Sequence, residues 1–444
     1  MDDRTYAMNV KEALKKCISQ LDSMKYLFLN NPEKDFTRER KISFEQFINI
    51  CLQMDGGALQ SELIKYYDFS EDTPTKSAFC QQRAKVSPEA LKFLFSIFTE
   101  LLMGIDKPKT FQGYLLLACD GTDINIPYNP SDKESFHQNA GKKGYNQLHL
   151  NAFFDILNGI YVDCVLEPDR KSHERAAFNT MIDRYSLDTP AILMADRGYE
   201  GYNLFAHLFR SGQKFIIRLK DNDSNGIIST YEFPYDEKGE FDCYIETVLT
   251  WKQTNEIKNN WQTYTYVPRN HFDFYDSDNP FYRLRLRILC IEVAPGVFEY
   301  LATNLDENEF TPDTIKDLYH ARWGEENSFR DLKYTIGFVH FHCKKRDYVE
   351  QEAWAKLIVY NFCEAITRHI TVTRQTGDES KRKYDYKINF ATAACICRTY
   401  LKRDDGEINP CRLIGKFLIP IRLNRSAPRK IKPQSARSFL YRAA

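Results

Sequence analysis

The sequence lacks the features that mark several large classes of protein. No apolar run approaches the roughly 18 residues of a membrane span, and the segment Met1–Arg4 lacks the basic and apolar regions of a signal peptide. We therefore expect a cytoplasmic protein with no membrane partner. The 12 cysteines include no CxxC pair. This spacing indicates neither a disulfide framework nor a zinc ribbon.

The chain also has no net charge, because 61 Lys and Arg residues balance 61 Asp and Glu residues. Bulk charge therefore does not indicate a nucleic-acid partner. The distribution of charge is more informative. Residues 408–444 contain nine basic residues and no acidic one, together with prolines. This composition predicts an extended segment that binds phosphates, although a disordered solubilising tail would have the same composition.

The first part of the chain is predicted to be helical. Ser43-Phe-Glu-Gln46 is typical of a capping box, and Ser87-Pro88 is typical of a helix start. Between them, Thr75–Lys85 predicts a helix that could present Arg83 and Lys85 to DNA. The alternative for this segment is an ordinary polar helix.

The hydrophobic period changes after residue 105. Gly113–Cys119 and Ala191–Ala195 are continuous apolar runs, typical of strands that are buried on both faces. Each run ends on an aspartate, Asp120 or Asp196. With the helices and strands between and after them, these runs predict a mixed α/β sheet. Residues 221–308 are rich in alternating β patterns and predict an all-β insertion.

A long helix is predicted to begin at Thr311-Pro312. At about 100° per residue, one face of this helix carries an aromatic residue, three basic residues and one acid, namely Tyr319, Arg322, Glu326, Arg330 and Lys333. The other face is apolar and can pack on a core. Glu325 falls on the apolar face, so either the helix is kinked near Gly324 or a base such as Arg322 pairs with Glu325. A solvated charged face is the alternative interpretation of the stripe.

Three carboxylates can converge at the carboxyl edge of such a sheet, where open α/β folds bind ligands. They are Asp120, Asp196 and Glu326. Carboxylate oxygens without a histidine or thiolate partner suit Mg²⁺ or Mn²⁺. Two such ions about 4 Å apart would support phosphodiester cleavage or transfer. Taken singly, either aspartate could instead be a turn cap.

These motifs resemble those of the DDE-class insertion-sequence transposases. The resemblance is carried by Asp120-Gly-Thr, by Asp196-Arg-Gly-Tyr and by the spacing Tyr319-x2-Arg322-x3-Glu326-x6-Lys333, which is similar to the Y-R-E-K signature group. It extends over nearly the whole chain. It implies a ribonuclease-H-like mixed sheet with helices on both faces, interrupted by an all-β insertion and preceded by a helical DNA-binding domain. The expected boundaries are 1–105 for the DNA-binding domain, 106–220 and 309–372 for the catalytic domain, 221–308 for the insertion, and 373–444 for a helical and basic C-terminal region.

The activity implied by the resemblance is cut-and-paste transposition. One strand is nicked at the element's end, the freed 3′-OH forms a hairpin, and the reopened ends are transferred to target DNA. The implied partners are double-stranded DNA, as terminal inverted repeats and target, and a second copy of the chain in a synaptic homodimer. The implied location is the bacterial cytoplasm, on the nucleoid.

The resemblance also assigns roles to residues. Asp120, Asp196 and Glu326 would be the catalytic metal ligands for Mg²⁺, with Mn²⁺ as a substitute and two ions in the site. The expected DNA contacts are Tyr319, Arg322, Lys333, the additional base Arg330, and Trp251, which could stack on a flipped base or be an ordinary core residue. Two other functions stay open: a structure-selective nuclease of the same fold, and a catalytically silent DNA-binding descendant.

Overall fold

The computed structural model describes residues 1–139, 141–276, 278–370, 385–404, 406 and 408–421. Its first part is helical, as predicted, with α1 Asp3–Ser23, α2 Phe44–Gln53, α3 Leu59–Tyr66, α4 Lys76–Arg83 and α5 Glu89–Met103. The capping box at α2 is confirmed. Ser43 Oγ accepts from Gln46 N at 3.1 Å, and Gln46 Oε1 accepts from Ser43 N at 2.9 Å, so two amides at the helix start are satisfied.

A ten-stranded sheet forms the centre of the molecule, and the predicted mixed α/β class is confirmed. Its strands are β1 Leu115–Ile126, β2 Phe136–Asn139, β3 Lys142–Asp155, β4 Ile160–Pro168, β5 Ala191–Ala195, β6 Lys214–Arg218, β7 Phe241–Thr250, β8 Tyr264–Tyr266, β9 Phe281–Ala294 and β10 Val297–Thr303. Their order is β2-β3-β1-β5-β6-β10-β9-β7-β8, and β4 pairs with β3. The strands β1, β5 and β6 are parallel to one another, whereas β3 is antiparallel to β1.

The remaining helices lie between and after these strands. They are α6 Glu174–Asp183, α7 Tyr202–Arg210, α8 Asn255–Asn259, α9 Pro312–Ala321, α10 Gly324–Arg330, α11 Arg346–His369, α12 Phe390–Lys402 and α13 Pro410–Lys416. Short 3-10 segments occur at Lys25–Phe28, Asp169–Lys171, Arg197–Tyr199 and Arg269–His271, and β11 Asp385–Ile388 pairs with β12 Leu418–Ile421. No helix in the described ranges combines the length and the apolar character needed to cross a membrane.

Helices pack on both faces of the sheet around β1, because side chains alternate along a strand. Leu115 and Leu117 share a core with Phe178 of α6, whereas Leu116 packs with Leu318 of α9 on the opposite face. The long helix α11 is almost entirely buried and packs against α1, α2, α5 and α12. It therefore joins the N-terminal helices to the rest of the molecule.

The β-rich composition predicted for residues 221–308 is present, but two details differ from the prediction. The segment contains the helix α8, so it is not all β. Its strands also extend the central sheet, because β10 pairs with β6 from Leu301↔Arg218 to Thr303↔Ile216. Backbone hydrogen bonds to β6 satisfy an edge that would otherwise be unpaired.

The helix predicted to run on from Pro312 is interrupted. Helix α9 ends at Ala321 and α10 begins at Gly324, and a π-helical turn follows over Asp331–Thr335. At the break, Glu325 N donates to Arg322 O at 3.0 Å, a tightened turn. Glycine is a poor helix former by about 1 kcal/mol relative to alanine, which favours a break here. Most of the predicted basic tail, residues 422–444, lies outside the described residues.

Candidate active site

The register of two parallel strands brings the predicted aspartates together. Cys119 of β1 is the partner of Ala195 of β5, and this is the last pair between the two strands. Asp120 and Asp196 each follow directly, so they are neighbours at the carboxyl end of β5. Asp120 Oδ1 accepts from Gly121 N at 2.8 Å, and Asp196 Oδ1 accepts from Gly198 N at 2.8 Å. Both aspartates are half-buried.

The pKa of Asp120 shows that Glu326, the third predicted acid, lies nearby. Burial raises the pKa of Asp120 to about 6, the carboxylates of Asp196 and Glu326 raise it as well, and Arg322 opposes them. Glu326 is exposed on α10. The three predicted acids therefore lie within electrostatic reach of one another, and their charges repel.

Tyr319 and Arg322, at the end of α9, are both buried. Arg322 is 6% exposed and Tyr319 is 3% exposed, and the guanidinium carbon lies 5.4 Å from the Tyr319 ring centroid. Burial acts to lower the pKa of Arg322, but Tyr319 and the carboxylates of Asp120 and Asp196 raise it above its ordinary value. Arg322 thus lies close to the acids, and Tyr319 packs beside Arg322 in the core that contains Leu318. Their position does not support the expectation that they contact DNA.

Lys333 is connected to the strand that carries Asp120. Its Nζ donates to Thr122 Oγ1 at 2.5 Å and to Asp123 O at 2.8 Å. Burial lowers its pKa. Arg330 is exposed on α10. Of the four basic or aromatic residues on the predicted stripe, Arg322 and Lys333 lie close to the acids, Tyr319 packs against Arg322, and Arg330 lies at the surface.

Glu325 is the acid whose role was unresolved in the sequence. It is fully buried, as its place on the apolar face predicted. Neither carboxylate oxygen has a well-formed hydrogen bond among the described residues. Burial raises its pKa well above the ordinary value, and Asp120 adds to this effect. The charge of Arg322 and the backbone amide of Asp120 lower the pKa of Glu325 in part, so the site includes a buried carboxylate whose burial is only partly compensated.

These side chains fit a hard divalent cation. Asp120, Asp196 and Glu326 offer carboxylate oxygens, the ligands that Mg²⁺ and Mn²⁺ prefer. Within the described ranges, no lysine or arginine forms an ion pair with any of the three. The buried carboxylate of Glu325 beside Asp120, whose burial is only partly compensated by Arg322, points to the same ligand chemistry.

A second group of polar residues, absent from the sequence prediction, lies beside Asp120. His149 of β3 is the cross-strand partner of Asp123, and its Nδ1 lies 2.8 Å from Asp123 Oδ1. Its Nε2 lies 3.4 Å from Glu174 Oε1. Burial lowers the pKa of His149, but the hydrogen bonds to Asp123 and Glu174 outweigh this effect and raise it to about 9. Asp123, His149 and Asp169 also place three possible ligand atoms within 4.8 Å of one another. Only the pairing of β1 with β3 reveals this group.

Trp251 is not brought to the acids. It follows β7, which is five strand positions from β1 in the sheet, or about 24 Å at the usual spacing between strands. The guanidinium carbon of Arg269 lies 5.6 Å from the Trp251 ring centroid. Trp251 is half-buried.

The two expected DNA contacts on α4 differ in position. Arg83 is fully buried, and it pairs with Glu352 at 2.8 Å and with Gln351 at 2.9 Å. The expectation that Arg83 contacts DNA is therefore wrong, because its charge is paired with Glu352 in the core. Lys85 is half-buried and donates to Gln82 Oε1 at 2.9 Å. It lines a cavity of about 310 Å³ with three further basic residues, Lys34, Arg38 and Arg40.

Comparison with known proteins adds independent information. Residues 111–362 match the family described as Transposase DDE domain. The chain is 21% identical over 373 residues to Transposase InsG for insertion sequence element IS4 of Escherichia coli (strain K12), covering 80% of this chain and 76% of that protein. A solved piggyBac transposase in a synaptic complex with hairpin DNA aligns with a TM-score of 0.45 and 9% identity, covering 90% of this chain and 80% of that one.

The family match includes β1, β5 and α10, the elements that carry Asp120, Asp196 and Glu326. It spans more than half of the 444 residues. The chain therefore belongs to the transposase DDE domain family and is a DDE insertion-sequence transposase.

Proposed function

We propose that this transposase excises its element by nicking one strand, forming a hairpin and transferring the reopened ends to target DNA. The observation that carries the proposal is the register of Cys119 with Ala195, which makes Asp120 and Asp196 neighbours. Glu326 adds the third acid from α10. These three residues are proposed to hold Mg²⁺, or Mn²⁺ in its place, as two ions.

The proposed chemistry divides between the cation and the chain. When bound, divalent ions supply charge neutralisation at the scissile phosphate and activate the attacking oxygen. Asp120, Asp196 and Glu326 bind and orient them. Arg322 is proposed to hold the acids in place through its charge, and Tyr319 to hold the Arg322 side chain, since both are buried and in contact with each other. Arg330 and Lys333 are proposed to contact the phosphates of the DNA end, and Trp251 and Lys85 are proposed as more distant DNA contacts.

The finer features of the fold belong to the same proposal. We assign a ribonuclease-H-like catalytic domain to residues 106–220 and 309–372, a β-rich insertion to 221–308, a helical DNA-binding domain to 1–105 and a basic region to 373–444. The assignment is supported by β1 and β5, which run parallel, and by β3, which runs antiparallel to β1. The proposed complex is a homodimer on paired terminal inverted repeats, on the bacterial nucleoid. We also propose that the chain belongs to the Y-R-E-K group, which the spacing of Tyr319, Arg322, Glu326 and Lys333 supports.

An assay with labelled terminal-repeat DNA and Mn²⁺ tests the proposal. The wild-type chain is expected to yield a nicked species and then a hairpin, which migrates differently on a denaturing gel. Asp120→Asn is expected to bind the same DNA and to yield neither product. Nicked or degraded DNA without a hairpin would favour the nuclease alternative, and nicking by Asp120→Asn would exclude the assigned acids.

A further inference from the structure

The first residue of α6 lies between the two turns that follow the catalytic aspartates. A Cβ atom added to Gly121 would lie 3.0 Å from Glu174 Oε1, and one added to Gly198 would lie 3.6 Å from Glu174 Oε2. Gly121 directly follows Asp120, and Gly198 is two residues after Asp196. A single carboxylate therefore occupies the space that both glycines leave open.

The chain holds Glu174 in this place from two sides. Arg175 Nε donates to Gly198 O at 3.0 Å, which ties the start of α6 to the turn after Asp196. His149 is 7% exposed, and its Nε2 lies 3.4 Å from Glu174 Oε1. Since His149 is itself held by Asp123, Oε1 has a fixed partner. The second oxygen, Oε2, is left on the side of Gly198.

That side is also where Asp196 presents its carboxylate. The added Cβ on Gly198 would lie 3.0 Å from Asp196 Oδ1 as well as 3.6 Å from Glu174 Oε2. Both oxygens thus approach one point at the sheet edge. Carboxylate oxygens that approach one point are the ligands that a hard divalent cation prefers.

An independent observation on the opposite face of the sheet indicates a cation at this edge. Glu325 is fully buried beside Asp120, and its two carboxylate oxygens have no well-formed hydrogen bond in the described part of the chain. Buried carboxylates are normally paired or bound to a metal. The acids approach the edge from both faces, Glu174 from α6 and Glu325 from α10.

We propose that Glu174 is a fourth carboxylate ligand of the divalent-cation site, oriented by His149. The proposal rests on the function proposed above, and it adds a residue that lies outside the three family acids. In this arrangement, Glu174 Oε1 stays with His149 while Oε2 serves the cation beside Asp196. It also gives the glycines of Asp120-Gly121 and Asp196-Arg-Gly198 a common role, because a side chain at either position would displace Glu174.

The competing role for Glu174 is structural. An acid in the first turn of a helix stabilises it by about 0.3–1 kcal/mol through the helix dipole. That role predicts lower stability without any change in cation affinity. Glu45, an exposed acid in the first turn of α2, provides a matched control.

The test is titration of the full chain with Mn²⁺. Binding is measured by calorimetry and by the electron paramagnetic resonance signal of free Mn²⁺. The proteins compared are wild type, Glu174→Gln, Glu45→Gln and Asp120→Asn. Loss of a unit negative charge close to a divalent ion is expected to weaken Mn²⁺ binding about tenfold in Glu174→Gln. Glu45→Gln should bind as wild type does. His149→Asn, which releases Oε1, should weaken binding to a smaller extent.

The outcomes separate the two proposals. Wild-type Mn²⁺ affinity in Glu174→Gln, alongside weakened binding in Asp120→Asn, would overturn the role of Glu174 and leave the proposed function standing. Undiminished binding in Asp120→Asn would overturn the proposed function itself. A lower unfolding midpoint in Glu174→Gln with wild-type affinity would assign Glu174 to the helix dipole and also overturn the inference.

Discussion

Arg83 and Glu352 form a fully buried ion pair, with Nη1 and Oε1 2.8 Å apart. They lie on α4 and α11, 269 residues apart in the chain. His342 and Gln351 complete the hydrogen bonding around them. The pair therefore fastens the N-terminal helices to the helix that runs through the middle of the molecule.

The first prediction concerns this pair. Arg83→Ala removes one charge and leaves Glu352 buried without it, which costs about 3–5 kcal/mol. Chemical denaturation should show a drop in the free energy of unfolding of this size. Arg38→Ala, an exposed arginine near the same helix, should change it by about 0.5 kcal/mol or less. Equal stability of the two variants would show that the buried pair does not join the two parts.

The second prediction separates Lys333 from Arg322 in DNA binding. Lys333 lies at the edge of the site, so Lys333→Ala is expected to lower the slope of log affinity against log salt by about one. Arg322 is 6% exposed, so Arg322→Ala should leave that slope unchanged while it abolishes nicking. The measurement is terminal-repeat binding at several salt concentrations. A reduced slope in Arg322→Ala would place its guanidinium on phosphate and contradict the buried arrangement.

A third prediction follows from the carboxyl of Asp120. Its folded pKa, about 6, lies above the ordinary value of 3.8. The folded state thus binds a proton that the unfolded state has released, and stability falls as pH rises from about 4 to 6. In metal-free protein, the contribution lost above pH 6 is about 3 kcal/mol.

The corresponding measurement compares unfolding of wild type and Asp120→Asn at pH 4 and pH 7 without divalent ions. The variant should gain stability relative to wild type as pH rises, and Mn²⁺ should restore the wild type at pH 7. A constant difference between the two proteins across this range would show that Asp120 carries no burial penalty.

Glu325 provides the fourth prediction. Burial penalises its carboxylate more than Arg322 and the backbone amide of Asp120 compensate it, so the volume-conserving change Glu325→Met should stabilise metal-free protein at pH 8 by about 1 kcal/mol. The same change should weaken Mn²⁺ binding, because an acid beside Asp120 is lost. Thermal unfolding and Mn²⁺ titration of one preparation measure both effects. Destabilisation in the absence of metal would mean that Glu325 has a compensating partner.

A fifth prediction tests the space beside Asp120. A Cβ on Gly121 would lie 2.4 Å from His149 Nε2, closer than van der Waals contact allows. Gly121→Ala should therefore displace His149 and Glu174 and lower Mn²⁺ affinity severalfold. Gly415→Ala is the control, since a Cβ there would meet nothing within 4 Å. Wild-type Mn²⁺ affinity in Gly121→Ala would show that His149 moves aside freely.

The positions of Asp120 and Asp196 at one edge of the sheet could be predicted from the sequence, because the patterns that indicate them are local. Apolar runs that end on Asp120 and Asp196 are typical of buried strands, and the register confirms that the two ends adjoin. The placement of Glu325 on the apolar face was also correct, since helical periodicity holds over the few residues between the break and Phe329. Of the two explanations for Glu325, the structure shows the interruption near Gly324, and the charge of Arg322 also lowers the pKa of Glu325.

The failures came from contacts between distant parts of the chain. Arg83 resembles a surface base in sequence because its partner Glu352 is far away along the chain. His149 and Glu174 were missed because their relation to Asp120 depends on β1–β3 pairing and on where α6 begins. One continuous helical wheel places Tyr319 and Glu326 on the same face. The turn at Arg322 shifts the later residues relative to α9, so Tyr319 is buried whereas Glu326 is exposed.

The position of α10 late in the chain has a consequence for biosynthesis. The ribosome synthesises Asp120 and Asp196 long before Glu326. Glu352, the ion-pair partner of Arg83, is synthesised later still. A polypeptide that ends before α10 contains two of the three acids. Its N-terminal helices also lack the ion pair between Arg83 and Glu352. The complete set of proposed metal ligands and the buried ion pair therefore exist only after nearly the whole chain has been synthesised.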